Sequence, residues 1–174
     1  LNIAHRLQPR VLLLENVKHF RSHDRGNTHR VVLRHLRDSG YKVYSSVLRA
    51  YDYGVAQNRE RTFIVAFKDA LHYDDPGVVS TEKRLHHCIA DALEQEPDPR
   101  VYLSAKIWDG HLKRKEHHRA RGYGFGFTLY KGDEPFCNTI SARYYKDGSE
   151  VLVRRSNGET PRMLTPRECF NLQG

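Results

Sequence analysis

Two short segments carry residue types that could form a charged ligand-binding site. Glu15 follows the aliphatic run VLLL, and Arg59 and Arg61 lie about forty residues later in the run QNRER. A strand edge that carries Arg-x-Arg would hold two fixed, permanently charged guanidinium groups near that acid. Each segment alone has a plainer interpretation, namely a capping glutamate and an exposed basic strand edge.

The surrounding pattern predicts the elements that must position these residues. Residues 10–14 are aliphatic and β-compatible, which indicates a short buried strand that leads to the acid. Open α/β sheets bind ligands at the carboxyl ends of their strands. Further strands are predicted at 41–48 and 62–67, with a helix capped by Asn27 and stopped by Gly40 between them. This order is typical of a doubly wound α/β domain.

The pattern changes after residue 68. Residues 73–77 are a turn or linker, and residues 86–93 and 107–118 could form helices. From Gly122 onward, short β-like pieces alternate with glycine-containing turns. The second part of the chain is therefore expected to be a separate, mostly β region.

Three ordered stretches resemble motifs of the DNA cytosine-5 methyltransferases. They are ENV at 15–17, DYGVAQNRER at 52–61 and RMLTPREC at 162–169, and HDRGNT at 23–28 and TISARYY at 139–145 also match the bacterial enzymes. The resemblance covers essentially the whole chain. It implies an α/β fold: the C-terminal part of a doubly wound, Rossmann-like methyltransferase sheet over residues 1–72. A small, mixed, mostly β target-recognition domain would follow over 73–174, including the start of the return to the catalytic domain.

The resemblance also implies roles at the reacting base. In the family a Cys thiolate attacks C6 of cytosine, and the glutamate that matches Glu15 contacts N3 and N4. Arg61 matches the arginine that contacts O2 and holds this glutamate, and Arg59 matches its neighbour, which anchors the site and nearby DNA. Gln57 matches a polar residue near the attacked ring. Asn16 is expected to fix the backbone at the strand end.

DNA contacts are implied for a second set of residues. A base inside a duplex is inaccessible, so the family flips it into the active site. The residues expected to contact DNA are Arg119, Arg121, Tyr123, Thr139, Arg143, Tyr144, Arg162 and Arg167. Among these, Arg143 is expected to read a base and Arg119 to bind a phosphate. For Glu168, an ion pair or a helix cap is at least as good an interpretation as a DNA contact.

The cofactor and the nucleophile are expected outside these residues. In the family, a glycine-rich segment for S-adenosylmethionine and a Pro-Cys loop both precede the Glu-Asn-Val motif. Only fourteen residues precede Glu15, and none is Cys or Gly. We therefore expect this chain alone to be inactive and to bind no S-adenosylmethionine through its own residues. Its partner would be the missing N-terminal methyltransferase part, in the same chain or in a separate subunit.

Composition favours a polyanionic partner such as double-stranded DNA. The formal charge is +8 and the pI is about 9.5, and basic surfaces gain affinity by displacing counterions from phosphates. A hydrophobic content of 39% argues against disorder. No apolar run approaches the ~18 residues of a membrane span, and the N-terminus lacks a signal-peptide pattern.

Cysteine usage indicates a reducing compartment. Cys88, Cys137 and Cys169 are widely spaced and resemble free thiols, so we expect a cytoplasmic, nucleoid-associated protein. None has the Pro-Cys context of the family nucleophile. Two pairs of adjacent histidines occur at 86–87 and 117–118. Their spacing matches no common zinc site, so no metal is expected.

The predicted function is that of a bacterial DNA (cytosine-5)-methyltransferase, from a restriction-modification system or an orphan methylase. Within the family, ARGYGFG at 120–126 and SARYYKDG at 141–148 resemble the Dcm-like methylases, which modify the inner cytosine of CCWGG, where W is A or T. One alternative is a non-catalytic DNA-binding or regulatory subunit. The other is a tRNA cytosine-5 methyltransferase, although those enzymes have a much smaller recognition domain than the about seventy residues between Lys68 and Thr139.

Overall fold

The computed structural model describes residues 2–69, 73, 85–124, 126–155 and 158–174. The chain divides into two compact units. Unit 1 comprises Leu1–Arg49 and Glu60–Val78, and unit 2 comprises Ala50–Arg59 and Val79–Gly174. The division by compactness therefore assigns residues 50–59 to the second unit. The functional assignment of 1–72 and 73–174 stays a prediction.

Helices and strands alternate along the first part of the chain and become short in the second. In chain order they are α1 (Asn2–Leu7), β1 (Val11–Val17), α2 (Asn27–Asp38), β2 (Lys42–Arg49), β3 (Gln57–Asn58), β4 (Glu60–Phe67), α3 (Ala105–Ala120), β5 (Leu129–Tyr130), β6 (Cys137–Asn138), α4 (Tyr144–Asp147), β7 (Leu152–Val153) and α5 (Pro166–Asn171).

Unit 1 is built on a three-stranded sheet of order β1-β4-β2, in which the central β4 is antiparallel to both neighbours. Its core contains Leu36 of α2, Tyr41, and Ile64 and Ala66 of β4. The alternating pleat of β4 points these strand residues to one face. The three strands and the helix that the sequence predicts are all present.

Two details of unit 1 differ from the sequence prediction. β1 is an edge strand of the described sheet, and its side chains alternate, so that Leu12 and Leu14 pack on the core while Leu13 is 67% exposed. The prediction of a fully buried strand was therefore wrong. Asn27 is the first residue of α2, and the cap is Gly26, whose φ of 80° suits glycine.

Unit 2 has less regular structure than the mostly β region that was expected. Its strands are two residues each and pair in parallel, β3 with β6 and β5 with β7. The predicted helix at 107–118 is present as α3, whereas 86–93 contains only a 3₁₀ turn over Ile89–Ala92. The largest core cluster consists of Ala56, Ile89, Ala92, Tyr130, Cys137, Tyr144, Val151, Val153, Leu164 and Leu172.

A buried ion pair organises the end of unit 2. The guanidinium of Arg162 makes two hydrogen bonds to the carboxylate of Glu168, at 2.7 and 2.8 Å. That carboxylate also accepts from the backbone N–H of Thr165 and of Glu94, while the Thr165 hydroxyl accepts from the Glu168 N–H. The result is a capping box at the start of α5 whose acid is fully buried and fully hydrogen-bonded.

Removing one member of this pair should destabilise the protein strongly. Arg162→Met would leave the Glu168 carboxylate buried without its counter-charge, and we expect the free energy of unfolding to fall by about 3–5 kcal/mol. The measurement is urea unfolding of the purified protein. Arg167→Met is the matched control, because that side chain is 78% exposed and should change stability by less than about 0.5 kcal/mol. Equal, small effects of both variants would contradict this account.

Candidate catalytic site and nucleic-acid interface

The structure brings two of the predicted catalytic residues together in unit 1. Glu15 lies on β1 and Arg61 on the adjacent β4, where Val17 is the register partner of Arg61. Arg61 Nε lies 2.9 Å from Glu15 Oε1, and Arg61 Nη1 donates to the backbone carbonyl of Glu60 at 2.8 Å. The guanidinium is thus fixed from two sides.

The two partners of this pair differ in exposure. The Arg61 side chain is 18% exposed, whereas the Glu15 side chain is 47% exposed. A half-exposed carboxylate held by a largely buried cation keeps a defined position while part of its surface stays open to a ligand. This geometry suits an acid that hydrogen-bonds a base edge.

A second ion pair lies beside the first on the same two strands. Lys18 directly follows β1, and its Nζ lies 2.8 Å from both carboxylate oxygens of Glu60 on β4. This pair was not predicted from the sequence, although an acid between two arginines and a lysine after Glu-Asn-Val were visible signals. Asn16 accepts a hydrogen bond from the Val17 N–H at 2.9 Å, which confirms its predicted role in fixing the strand end.

The other two predicted catalytic residues belong to unit 2. Gln57 is 1% exposed; its Nε2 donates to the Leu172 carbonyl at 2.9 Å, and its Oε1 accepts from the Ile140 N–H at 3.4 Å. Both ends of the amide therefore link segments of unit 2, and the predicted position of Gln57 near the reacting ring stays a prediction. Arg59 is partly buried, and its backbone bonds to Gln57 and Ala50.

The predicted DNA-contacting residues divide into exposed and buried groups. Exposed side chains belong to Arg119, Arg121, Tyr123, Arg143 and Arg167. Thr139 is half-buried, and its hydroxyl donates to the Asn58 carbonyl at 2.8 Å. It therefore links β6 to β3 within unit 2, and its predicted contact with DNA stays a prediction.

Tyr144 and Arg162 were wrongly predicted as DNA contacts. Tyr144 is in the core of unit 2, where its hydroxyl donates to the Val151 carbonyl and accepts from the Leu164 N–H. Burial raises the pKa of this phenol well above its ordinary value. Arg162 is committed to Glu168, so the plainer interpretation of Glu168 as an ion pair and cap was right. Neither side chain presents a polar group to a ligand in this structure.

Basic and aromatic side chains line a groove at the end of α3. Its lining includes Lys115, Arg119, Tyr123 and Gly124. Lys115 is fixed there, since its Nζ lies 4.2 Å from the centre of the Phe127 ring and donates to the Phe127 carbonyl at 3.3 Å. No sequence pattern indicated this contact, because it joins two loosely patterned segments. Arg119 and Tyr123 remain on the exposed side of the groove.

Two of the three cysteines, Cys137 and Cys169, lack the properties of an activated nucleophile. All three thiols are unpaired by disulfides, and burial raises the pKa of Cys137 to about 12 and that of Cys169 to about 11. Within the described residues, no group of three His, Cys, Asp or Glu side chains could hold a metal ion. Among those same residues, no helix is long and apolar enough to cross a membrane.

Comparison with known proteins identifies the family. Residues 1–174 match the family of C-5 cytosine-specific DNA methylases. The chain is 45% identical over 167 residues to the type II methyltransferase M.NlaX of Neisseria lactamica, covering 96% of this chain and 52% of that protein. It is 31% identical over 199 residues to the DNA-cytosine methyltransferase of Escherichia coli K12, covering 96% of this chain and 42% of that protein.

A solved structure supports the same assignment of fold. The S. pombe Dnmt2 methyltransferase superposes with a TM-score of 0.71 at 20% identity, over 95% of this chain and 53% of that one. The chain thus spans about half the length of the relatives that it matches. On the sequence match over its whole length, this chain belongs to the C-5 cytosine-specific DNA methylase family.

Proposed function

We propose that this chain is part of an enzyme that transfers a methyl group to C5 of cytosine in duplex DNA. The observation that carries the proposal is the ion pair between Glu15 and Arg61, with its 2.9 Å separation and its half-exposed carboxylate. Family membership supplies the reaction class. The pair supplies an acid and a cation at one position, which is what activation of a cytosine ring requires.

The chemistry assigns each member of the pair a role. C5 of cytosine is a poor nucleophile until another group has added at C6, and that addition places negative charge on the ring at N3. Glu15 would donate a hydrogen bond or proton at N3 and accept one from the exocyclic amine at N4. Arg61 would hold Glu15 and contact O2, because its donors form a rigid fork.

S-adenosylmethionine would supply the methyl group. None of the described residues is proposed to bind S-adenosylmethionine. Glu15 and Arg61 are proposed to contact the cytosine base. The target cytosine would have to leave the duplex to reach Glu15, because N3 is paired inside the helix. The buried thiol of Cys137 and the partly buried thiol of Cys169 are not proposed as the nucleophile, since their pKa values are raised.

Unit 2 would supply much of the DNA surface. Arg119, Arg121 and Tyr123 lie exposed at the end of α3, and Arg143 and Arg167 are exposed elsewhere in the unit. Guanidinium groups bind phosphates and read guanine, and a tyrosine ring can stack on a base. We propose Arg119 as a phosphate contact and Arg143 as a base contact.

The target sequence is the finer part of the proposal. We propose a CCWGG-like site, on the resemblance of residues 120–126 and 141–148 to Dcm-like methylases. The central base pair is the position to test, because W admits A·T and T·A pairs and excludes G·C pairs. Methylation of duplexes with a central A·T or G·C pair separates the possibilities: equal methylation of both would contradict discrimination at W.

The direct test of the function is methyl transfer from labelled S-adenosylmethionine by the full-length protein. We expect incorporation into duplex DNA and recovery of 5-methylcytosine. Incorporation into tRNA in place of DNA would contradict the proposal, and so would specific DNA binding without methylation.

Glu15→Gln should lower turnover by about 10²- to 10⁴-fold in the full-length protein, while DNA affinity stays close to the unaltered value. The amide keeps the shape of the side chain but cannot provide the acid. Single-turnover methylation and DNA binding report the two quantities. Glu60→Gln is the matched control on the neighbouring strand, expected to change turnover less than about fivefold. A loss of binding with unchanged turnover on bound DNA would make Glu15 structural.

Arg119→Ala should weaken binding to all DNA sequences alike and reduce the dependence of log K on log salt by about one unit, as one lost phosphate contact does. The measurement is DNA affinity of the full-length protein at several salt concentrations. Lys106→Ala, about 20 Å earlier on the same helix, is the control and should leave the slope unchanged. Relaxed preference at one base pair in Arg119→Ala would mean that Arg119 reads a base.

A further inference from the structure

A loop in unit 1 carries exposed cations that the proposed catalytic site does not use. It runs from the end of β1 to the start of α2 and consists of two 3₁₀ turns, Lys18–Arg21 and His23–Gly26. Residues 18–26 contain three Lys or Arg and a single acid, Asp24. The loop thus places positive charge directly after the strand that carries Glu15.

The backbone of this loop is strained at two residues. Asp24 has φ 50° and ψ 49°, and Arg25 has φ 53° and ψ 33°, which is the left-handed conformation that glycine adopts without penalty. Asparagine and aspartate tolerate it better than most residues, but arginine has no local hydrogen bond to offset it. An arginine at position 25 therefore makes the folded state less stable than glycine would.

Local contacts hold the loop in this conformation. His23 Nδ1 lies 2.7 Å from the Thr28 hydroxyl, and the Asn27 amide donates to Asp24 Oδ2 at 3.0 Å. The Asp24 carboxylate is thus engaged by a neutral amide. Among the described residues, the side chain of Arg25 has no partner in an ion pair or hydrogen bond, and it is exposed.

The charge, the strain and the position of Arg25 have one explanation in common. Strained residues persist where the surrounding structure fixes them, and they concentrate at functional sites. A guanidinium without a protein acid, on a loop that follows the catalytic strand, is suited to a phosphate oxygen. A merely solvated cation would not require the left-handed backbone.

We propose that the loop at 18–26 is a second DNA contact, in which Arg25 binds a backbone phosphate of the duplex while the contacts of Asp24 and His23 hold the loop in place. This inference rests on the proposed function, because it assigns a binding residue to the same DNA substrate. It adds a phosphate contact in unit 1 to those proposed for unit 2.

The test uses two substitutions of Arg25 in the full-length protein. Arg25→Gly removes both the charge and the strain, so we expect DNA affinity to fall about three- to tenfold and Tm to rise by about 2–4 °C. Arg25→Gln removes the charge and keeps the strain, so we expect the same loss of affinity without the rise in Tm. In both variants the salt dependence of binding should decrease by about one unit.

Arg37→Gln is the matched control, because Arg37 is also exposed but lies about 18 Å further along α2. It should leave affinity and salt slope unchanged. The proposal is overturned if Arg25→Gly raises Tm with unaltered DNA affinity, or if Arg37→Gln weakens binding as much as Arg25→Gln does. Failure of the unaltered protein to bind DNA would instead overturn the proposed function.

Discussion

The antiparallel register between β1 and β4 is the constraint on which the candidate site depends. With Glu15 opposite Phe63 and Val17 opposite Arg61, the acid and the guanidinium meet diagonally across two strands. Because side chains alternate between the faces of a strand, a slip of one residue would send one partner to the opposite face. The core side chains of β4, Ile64 and Ala66, oppose such a slip by burying one face only. The apolar pattern thus sets the position of the polar pair.

The two Arg–Glu pairs of this protein show how burial decides the use of similar chemistry. In unit 2, Arg162 and Glu168 are both almost fully buried, and every carboxylate oxygen has donors within the protein. Such a pair fixes structure, because no ligand can replace its partners without a large cost. In unit 1, Glu15 is half-exposed beside a partly buried Arg61. That asymmetry leaves part of the Glu15 carboxylate open to a ligand.

The positions of helices and strands were more predictable from the sequence than the roles of individual polar residues. Aliphatic runs and glycine stops located β1, α2, β2 and β4, since hydrophobic periodicity reports which face is buried. The motif resemblance correctly predicted that Arg61 pairs with Glu15. The resemblance could not show that Arg162 is committed to a buried ion pair. Its contact with Glu168, six residues later, forms only when the chain folds back at α5.

Two other sets of contacts have the same physical origin. Tyr144 was predicted to contact DNA, but its hydroxyl satisfies two buried backbone groups, which no sequence pattern indicates. Gln57 was predicted to lie near the reacting ring, and its amide joins β3 to residues 140 and 172. The short strands of unit 2 also carry too few residues for alternation to be detected. Long-range contacts, not local propensity, determine these positions.

The central claim is that Glu15 and Arg61 act as one unit on the cytosine ring. A double-mutant cycle on single-turnover methylation by the full-length protein, with Glu15→Gln, Arg61→Gln and the double variant, tests it most directly. If the two residues act together, the double variant should be no slower than the slower single variant, within about threefold. Multiplicative losses in the double variant would show independent roles and would contradict the account.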